Sequence, residues 1–290
     1  MDQPRRDARI ATTAEGWAWV LHGFSLFKPY PAFWLLLLVF YSLLLILVSA
    51  IPGVGVALAS ILIPGLSAGF MIACQAAHKS LPPLPSHLFQ PFRQPAMEGR
   101  KAQLILGLVY LACLAVLLGV AKLAGDDVIF KLVPQGEVAG NPALRPLELR
   151  VGGLVAMVLY TPVMMAFWFA PALSFWQRMN PGKALFFSFF AVWRNGKAFI
   201  AYGMGWLVFL MVIPMLFGML LGLMLPPGMR GASLAVLILL PYLMVTVCAM
   251  MLSFYSTYLG IFGDPAAPPA PPAPAAAPAE ENRSDTDSQP

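Results

Sequence analysis

Residues 29–78 read PYPAFWLLLLVFYSLLLILVSAIPGVGVALASILIPGLSAGFMIACQAAH, and no Asp, Glu, Lys or Arg interrupts them. A helix needs about 20 apolar residues to cross the roughly 30 Å hydrocarbon core of a bilayer. The stretch is therefore long enough for two spans, and the residues Ile51-Pro52-Gly53-Val54-Gly55 provide a turn between them. This part of the chain predicts a helical hairpin in a membrane.

Four more stretches lack all four charged residue types, and the composition agrees with them. The chain is 59% apolar and 11% charged, with a mean hydropathy of +0.76, whereas about 25% of the residues of a soluble domain are charged. The sequence predicts an all-α polytopic membrane protein with six transmembrane helices in three hairpins. The predicted spans are about 31–50, 55–77, 102–124, 151–176, 198–225 and 232–260.

Other membrane classes fit the sequence poorly. A secretory signal needs a short apolar run and a small-residue cleavage site, but the three N-terminal arginines are followed by a polar and aromatic segment and then by a full span. An outer-membrane strand alternates apolar and polar residues, which 35–40 does not. The three cysteines, Cys74, Cys113 and Cys248, stand alone inside spans, so they are expected to be buried apolar residues.

The basic residues predict the orientation, because short cytoplasmic loops are enriched in Lys and Arg. Thirteen of the 18 Lys and Arg residues fall on one predicted face, and that face carries both termini. The sequence therefore predicts a multi-pass protein of the bacterial inner membrane with both termini in the cytoplasm.

Three parts of different character are expected along the chain. Residues 1–30 form a cytoplasmic segment with an interfacial helix, and residues 31–262 form one six-helix membrane domain. Residues 263–290 are rich in Pro and Ala and then polar, which is typical of a disordered tail.

The chain contains a threefold pattern in which an interfacial segment precedes each hairpin. The three segments are 14–30, 84–100 and 180–196, and each combines aromatic and basic residues. Helices of this kind lie in the headgroup plane with aromatic residues towards the acyl chains and cations towards lipid phosphate. The candidate headgroup contacts are Lys28, Arg93, Arg194 and Lys197.

The second helix of each hairpin contains a proline, at Pro64, Pro162 and Pro241. Proline removes one backbone hydrogen bond and kinks a helix. Two interpretations stay open: the kinks shape packing only, or they open a central cavity. Gly218 and Gly222 in the fifth span match a small-residue packing pattern, and packing within the chain is expected there.

The sequence shows no set of residues for catalysis, metal binding or proton transfer. We find no ionisable residue near the middle of a span, and His22, His78 and His87 form no metal-binding pattern. Nucleophile-elbow and phosphate-binding loop motifs are absent as well. No cofactor, no metal and no nucleic-acid partner is therefore expected, and membrane lipids are the expected partners.

Several short motifs carry a family resemblance over about residues 15–262. They are Trp168-Phe169-Ala170-Pro171-Ala172-Leu173, then 180–185 (NPGKAL), then Arg194-Asn195-Gly196, together with 23–34 and 89–93. The chain resembles uncharacterised six-helix inner-membrane proteins of Gram-negative bacteria. It is more distantly similar to the membrane domain of some bacterial glycerophosphodiesterases. The resemblance implies a fold and a location and transfers no reaction.

Three hypotheses about function follow from the sequence. The preferred one is a non-enzymatic membrane protein that acts through lipid or protein contacts in envelope homeostasis, with any protein partner unknown. The alternative is a transporter or channel for a small or amphipathic solute, for which the three proline-containing helices would line a pathway. A lipid-modifying enzyme is the third, and it lacks a recognisable catalytic set.

Overall fold

A computed structural model describes residues 8–94, 97–123, 151–224 and 231–265. Within these ranges every regular element is a helix, and turns or short loops connect the helices. The helices are α1 (Thr13–Phe27), α2 (Pro31–Ser49), α3 (Gly55–His78), a 3-10 helix (Pro85–Phe92), α4 (Met97–Leu123), α5 (Val151–Trp176), α6 (Pro181–Arg194), α7 (Gly196–Leu207), a π-helical segment (Val208–Val212), α8 (Ile213–Met224) and α9 (Gly231–Phe262).

Six helical stretches within these ranges are long and apolar enough to cross a membrane. They are Pro31–Ser49, Gly55–His78, Glu98–Val120, Val158–Trp176, Gly196–Leu221 and Leu237–Phe262. The predicted all-α class with six transmembrane helices is confirmed. Helix α4 begins at Met97, five residues before the predicted third span. The acidic and basic residues of its first turns are compatible with a part of the helix that lies outside the bilayer.

Local sequence explains where the shorter helices begin. Thr12 and Glu15 form a reciprocal capping box at the start of α1: the Thr12 N–H donates to the Glu15 carboxylate at 2.7 Å, and the Glu15 N–H donates to the Thr12 hydroxyl at 3.3 Å. Asn180 is the N-cap of helix α6, and its side chain accepts a hydrogen bond from the Lys183 N–H at 2.9 Å. Pro181 occupies the first helical position, where proline is favoured.

The three segments that precede the hairpins are packed in a cyclic order. The 3-10 helix packs on α3, α6 packs on α5, and α1 packs on α9 and α7. Each segment therefore lies against the second helix of the preceding hairpin, and the first segment lies against the last hairpin. The three segments contact the carboxyl-terminal halves of α3, α5 and α9, so all three segments lie at the same end of the helix bundle. We call this end of the bundle the basic end.

Glycine permits the close approach at two of these contacts. A side chain at Gly69 would collide with the backbone of Leu88 in the 3-10 helix, and one at Gly23 would collide with the Ala249 carbonyl of α9. At the third contact the Ser188 hydroxyl enters the backbone of α5: it accepts from the Phe169 N–H at 2.9 Å and donates to the Met165 carbonyl at 2.8 Å. The hydroxyl thus replaces one helical hydrogen bond.

Two sequence expectations need correction. The middle interfacial segment forms a 3-10 helix rather than an amphipathic α-helix, because Pro91, inside the segment, lacks the N–H donor that an α-helix needs there. Among the described residues, no atom lies within 4 Å of the position that a methyl group on Gly218 would take, so the expected packing at Gly218 is not seen in that part of the chain.

In α1 the apolar residues Trp17, Val20, Leu21, Phe24 and Phe27 recur at helical spacing, which predicts one lipid-facing stripe, but the structure differs from this expectation. Val20 is completely buried and Trp19 is nearly so, because Gly16 and Gly23 bring that face of the helix against α7 and α9. Trp17 and Leu21 are exposed as expected. The Pro- and Ala-rich tail beyond Pro265 lies outside the described residues, as do residues 1–7.

Candidate functional site

An apolar cavity of about 250 Å³ lies among the second helices of the three hairpins. Helices α3, α5 and α9 supply most of its wall, and α2 and α4 contribute one tyrosine each. The lining residues are Tyr41, Ile63, Pro64, Ser67, Phe70, Met71, Tyr110, Met164, Phe167, Trp168, Pro171, Met251 and Phe254. Carboxylate, imidazole and ammonium groups are absent from this lining.

The polar groups nearest the cavity already have partners in the protein. The Ser67 hydroxyl donates to the Ile63 carbonyl of its own helix at 2.8 Å. The Trp168 indole N–H donates to the Thr257 hydroxyl at 3.1 Å. The Ser67 and Trp168 donors are therefore occupied, and apart from hydroxyl groups such as those of Tyr41 and Tyr110 the cavity offers dispersion contacts and a hydrophobic surface.

The predicted prolines take different positions relative to this cavity. Pro64, Pro162 and Pro241 all lie inside helices. Pro64 lines the cavity, whereas Pro162 and Pro241 are exposed on the outside of their helices. Pro171, a further proline of the fourth span, lines the cavity from α5. The cavity is thus bounded by one proline of α3 and one of α5.

The basic end is held together by Asn195, which joins α6 to α7. Its side-chain oxygen accepts from the Ala11 N–H at 2.6 Å, and its amide nitrogen donates to the Arg9 carbonyl at 3.1 Å and to the Ala191 carbonyl at 2.8 Å. The Arg9 N–H in turn donates to the Ile261 carbonyl of α9 at 3.0 Å. The segment before α1 is therefore attached to both α6 and α9.

A pH-dependent ion pair lies next to this attachment. The Arg9 guanidinium donates to the Glu15 carboxylate at 2.6 Å, and this bond and the Thr12 N–H lower the pKa of Glu15 from its ordinary value of 4.5 to about 2. A group with a lowered folded-state pKa stabilises the fold above its unfolded pKa and loses that contribution as the pH falls. Part of the thermal stability should therefore be lost between about pH 4.5 and 2.

Glu15→Gln is expected to flatten this pH dependence, because glutamine does not titrate. The thermal unfolding midpoint of wild type and variant, followed by tryptophan fluorescence through that pH range, measures the effect. An equal slope in both proteins would assign the acid sensitivity to other groups.

A histidine also contacts α9 at the basic end. His22 Nδ1 and the Ser256 hydroxyl share a hydrogen bond of 2.8 Å, and the His22 ring lies edge-on to His78 with 6.5 Å between centroids. Burial, and secondly the charge of His78, lower the pKa of His22 below its ordinary value of 6.5. His22 is therefore neutral at pH 7 and serves as a hydrogen-bonding partner between α1 and α9.

A second pocket, of about 410 Å³, opens at the basic end between the start of α4 and the turn from α5 to α6. Its walls carry the charged residues Glu98, Lys101 and Arg178 and the polar residues Gln94, Ser174 and Asn180. This pocket differs from the apolar cavity because charged side chains line it.

The four candidate headgroup contacts are all exposed at the basic end. Lys28 follows α1, Arg93 follows the 3-10 helix, and Arg194 and Lys197 flank the junction of α6 and α7. The Arg93 guanidinium lies over the Phe89 ring, 5.9 Å from its centroid. The structure does not bring these four residues into one site; they are distributed around the rim.

Helix α6 shows the amphipathic arrangement that the sequence predicts. Phe186, Phe190 and Trp193 are exposed, whereas Ala184 and Ser188 on the opposite face are completely buried. The aromatic face is thus available to lipid and the small-residue face packs on α5.

Comparisons with known proteins give one relative of this chain. A probable inner membrane protein of Burkholderia thailandensis is 35% identical over 250 residues, which cover 86% of this chain and 91% of that protein. No family model matches the chain, and no solved structure matches it. The comparisons do not show the more distant similarity to the glycerophosphodiesterase membrane domain. Since the identity extends over nearly the whole of both proteins, this chain belongs to the inner-membrane protein family of that Gram-negative relative.

Proposed function

We propose that this inner-membrane protein is non-enzymatic and acts by binding membrane lipid, with an acyl chain in the apolar cavity among α3, α5 and α9. The observation that carries the proposal is the lining of that cavity, which is almost entirely aliphatic, aromatic and thioether. Ligand sites are typically concave and mostly apolar. A cavity of about 250 Å³ holds part of an acyl chain rather than a whole lipid.

The side chains of the wall suit a flexible occupant. Met71, Met164 and Met251 line the cavity, and methionine adapts its shape to irregular apolar ligands because it is unbranched and polarizable. The cavity holds no acid–base pair that could activate a bond, which supports binding over catalysis.

Charge supports an orientation with the basic end in the cytoplasm and both termini on that side. The exposed cations Lys28, Arg93, Arg194 and Lys197 lie at that end, and basic residues concentrate on the cytoplasmic side of inner-membrane proteins. The same cations can contact anionic headgroups. Lipid contact is favoured over protein contact because the aromatic face of α6 lies beside them. This arrangement supports a role in envelope homeostasis, in which the protein organises the membrane lipids that it binds.

Filling the cavity tests the proposal. Ser67→Leu places an aliphatic side chain in the cavity and is expected to reduce co-purified lipid at least tenfold, because about 1.4 kcal/mol of lost contact corresponds to that factor. Native mass spectrometry of the protein released from mild detergent measures the retained lipid.

Ser49→Leu is the matched control. Ser49 also donates to a carbonyl of its own helix, that of Ile46 at 2.9 Å, but lies exposed at the end of α2 and away from the cavity. The control should keep its lipid. Equal lipid retention in both variants would contradict the proposal.

Transport of a small or amphipathic solute is the second candidate function. It is favoured by the π-helical segment Val208–Val212 in the fifth span, since π segments often mark functional sites in helices. The Tyr242 hydroxyl of α9 donates to the Phe209 carbonyl in this segment at 2.7 Å. Reconstituted vesicles that carry a fluorescent lipid analogue separate the two: transfer between leaflets favours transport, and binding without transfer favours the lipid-contact function.

A further inference from the structure

We propose that the pocket between the start of α4 and the α5–α6 turn binds a phosphate group, either the headgroup of a phospholipid or a free phosphate compound. The inference deepens the proposed function, on which it rests, because it names the chemistry of the polar end of the ligand. The pocket has a volume of about 410 Å³, which leaves room for a phosphate and part of its substituent.

The charges of the pocket favour an anion. Lys101 and Arg178 line it together with one carboxylate, that of Glu98. Within the described part of the chain the Arg9–Glu15 pair is the ion pair that forms, so neither Lys101 nor Arg178 is neutralised by a partner there. Arg can bind phosphate through two parallel N–H donors, and Lys binds it as a compact charge.

A buried hydroxyl without a partner lies in the same pocket. Ser174 is 2% exposed, lines the pocket, and its hydroxyl has no hydrogen-bond partner in the described structure. A serine in a helix ordinarily donates to the carbonyl one turn back, as Ser60 does to Val56 at 2.7 Å. Since burying an unpaired hydroxyl is costly, the free donor of Ser174 indicates an acceptor that the ligand provides.

The backbone at Arg178 is also unusual. Its φ is +49°, in the left-handed region that favours glycine. A glycine would end α5 there without strain, so the arginine costs stability at a position where it faces the pocket. Ser80, with a φ of +62° after α3, is the only other described non-glycine residue in that region, and it does not line the pocket.

The phosphate pocket lies beside the apolar cavity. Ser174 lines the former and Pro171 the latter, and three residues of helix separate them by about 4.5 Å along the axis. Gln103 lies between the two sites: it is completely buried, and its amide donates to the Pro171 carbonyl at 3.1 Å. One phospholipid could therefore place its phosphate in the pocket and an acyl chain in the cavity.

Titration calorimetry of the full-length protein in a non-ionic detergent tests the inference, with inorganic phosphate and short-chain phosphatidylglycerol as the two probes. We expect wild type to bind at least one probe. Binding of phosphatidylglycerol that inorganic phosphate does not displace assigns the site to a lipid headgroup. Binding of inorganic phosphate, or displacement by it, assigns the site to a free phosphate compound.

Two variants separate a binding role from a structural one. Arg178→Gly should raise the thermal midpoint, because it relieves the left-handed strain, and yet weaken probe binding at least tenfold through the loss of a charged contact. Ser174→Ala should leave the midpoint unchanged or higher, because it removes an unpaired buried hydroxyl, and should also weaken binding. Ser80→Gly is the control, which should raise the midpoint and leave binding unchanged.

The opposite effect on binding is expected from a substitution at Glu98. Glu98→Gln removes the one carboxylate of the pocket and should strengthen phosphate binding several-fold. Failure of wild type to bind either probe, or binding that Arg178→Gly and Ser174→Ala leave unchanged, would overturn the inference. Ser67→Leu leaves the pocket unchanged, so the probe binding that remains in this variant should still be weakened when Arg178→Gly is added. A failed phosphate site and a failed acyl cavity therefore give different results.

Discussion

Replacing Asn195 by alanine is expected to lower the free energy of unfolding by about 3 kcal/mol, because it removes the hydrogen bonds to two buried backbone groups and one that is partly buried. Asn195 is 2% exposed. Its side chain accepts from Ala11 and donates to the carbonyls of Arg9 and Ala191. Each unsatisfied buried group costs about 1–3 kcal/mol, and relaxation of the chain recovers part of the sum.

The same substitution should release the segment before α1. Arg9 is held by its carbonyl to Asn195 and by its N–H to Ile261, so loss of the first contact makes the bond after Arg9 easier for trypsin to cleave. Denaturant unfolding in mild detergent measures the stability, and the rate of limited proteolysis after Arg9 measures the release.

Asn180→Ala is the matched control for this experiment. Asn180 is also an asparagine beside α6, but it is exposed and its side chain accepts one hydrogen bond, from the Lys183 N–H. Losing an N-cap of this kind costs about 1 kcal/mol. If Asn195→Ala destabilised the protein no more than Asn180→Ala does, Asn195 would not be the attachment point of the basic end.

Gly69→Ala is expected to destabilise the protein by about 2 kcal/mol through a collision of backbone with side chain. An added methyl group at this position of α3 would meet the backbone of Leu88 in the 3-10 helix. Leu88 is completely buried, so it cannot move away without opening the contact between the two elements. Faster hydrogen exchange across Pro85–Phe92 would report that opening.

Gly119→Ala provides the opposite result from the same chemical change. Gly119 lies in α4, and no atom of the described residues lies near the position that a methyl group would take, so alanine should stabilise the helix by up to about 1 kcal/mol. Thermal midpoints of the two variants should therefore move in opposite directions. Movement in the same direction would mean that the Gly69–Leu88 approach does not limit the packing.

The class of fold could be predicted because the bilayer imposes it on the sequence. A span must hold about 20 apolar residues with every backbone group satisfied internally, and charge-free stretches such as 29–78 meet this demand visibly. The sequence did not reveal the 3-10 helix directly, although Pro91 is a signal that an α-helix cannot continue through this segment. The buried face of α1 was missed because Gly16 and Gly23, rather than its aromatic residues, determine which side packs.

The candidate sites were less predictable because they depend on contacts between distant segments. Ser174, Arg178 and Lys101 are ordinary residues of helix ends in the sequence, and only the packing of α4 beside the α5–α6 turn brings them to one pocket. The cavity likewise needs residues of five helices. Asn195 was noted only as part of a family motif, because its partners Arg9 and Ala11 are more than 180 residues away.

The cyclic packing of the three segments has a consequence for how the protein is made. Helix α1 is synthesised well before α7 and α9, on which it packs. Until α7 and α9 are inserted, the buried face around Trp19 and Val20 lacks its partners, so α1 stays undocked while the helices between them are made. Assembly therefore closes in a single late event, and a chain truncated before α9 would display an unfinished surface that quality-control proteases can recognise.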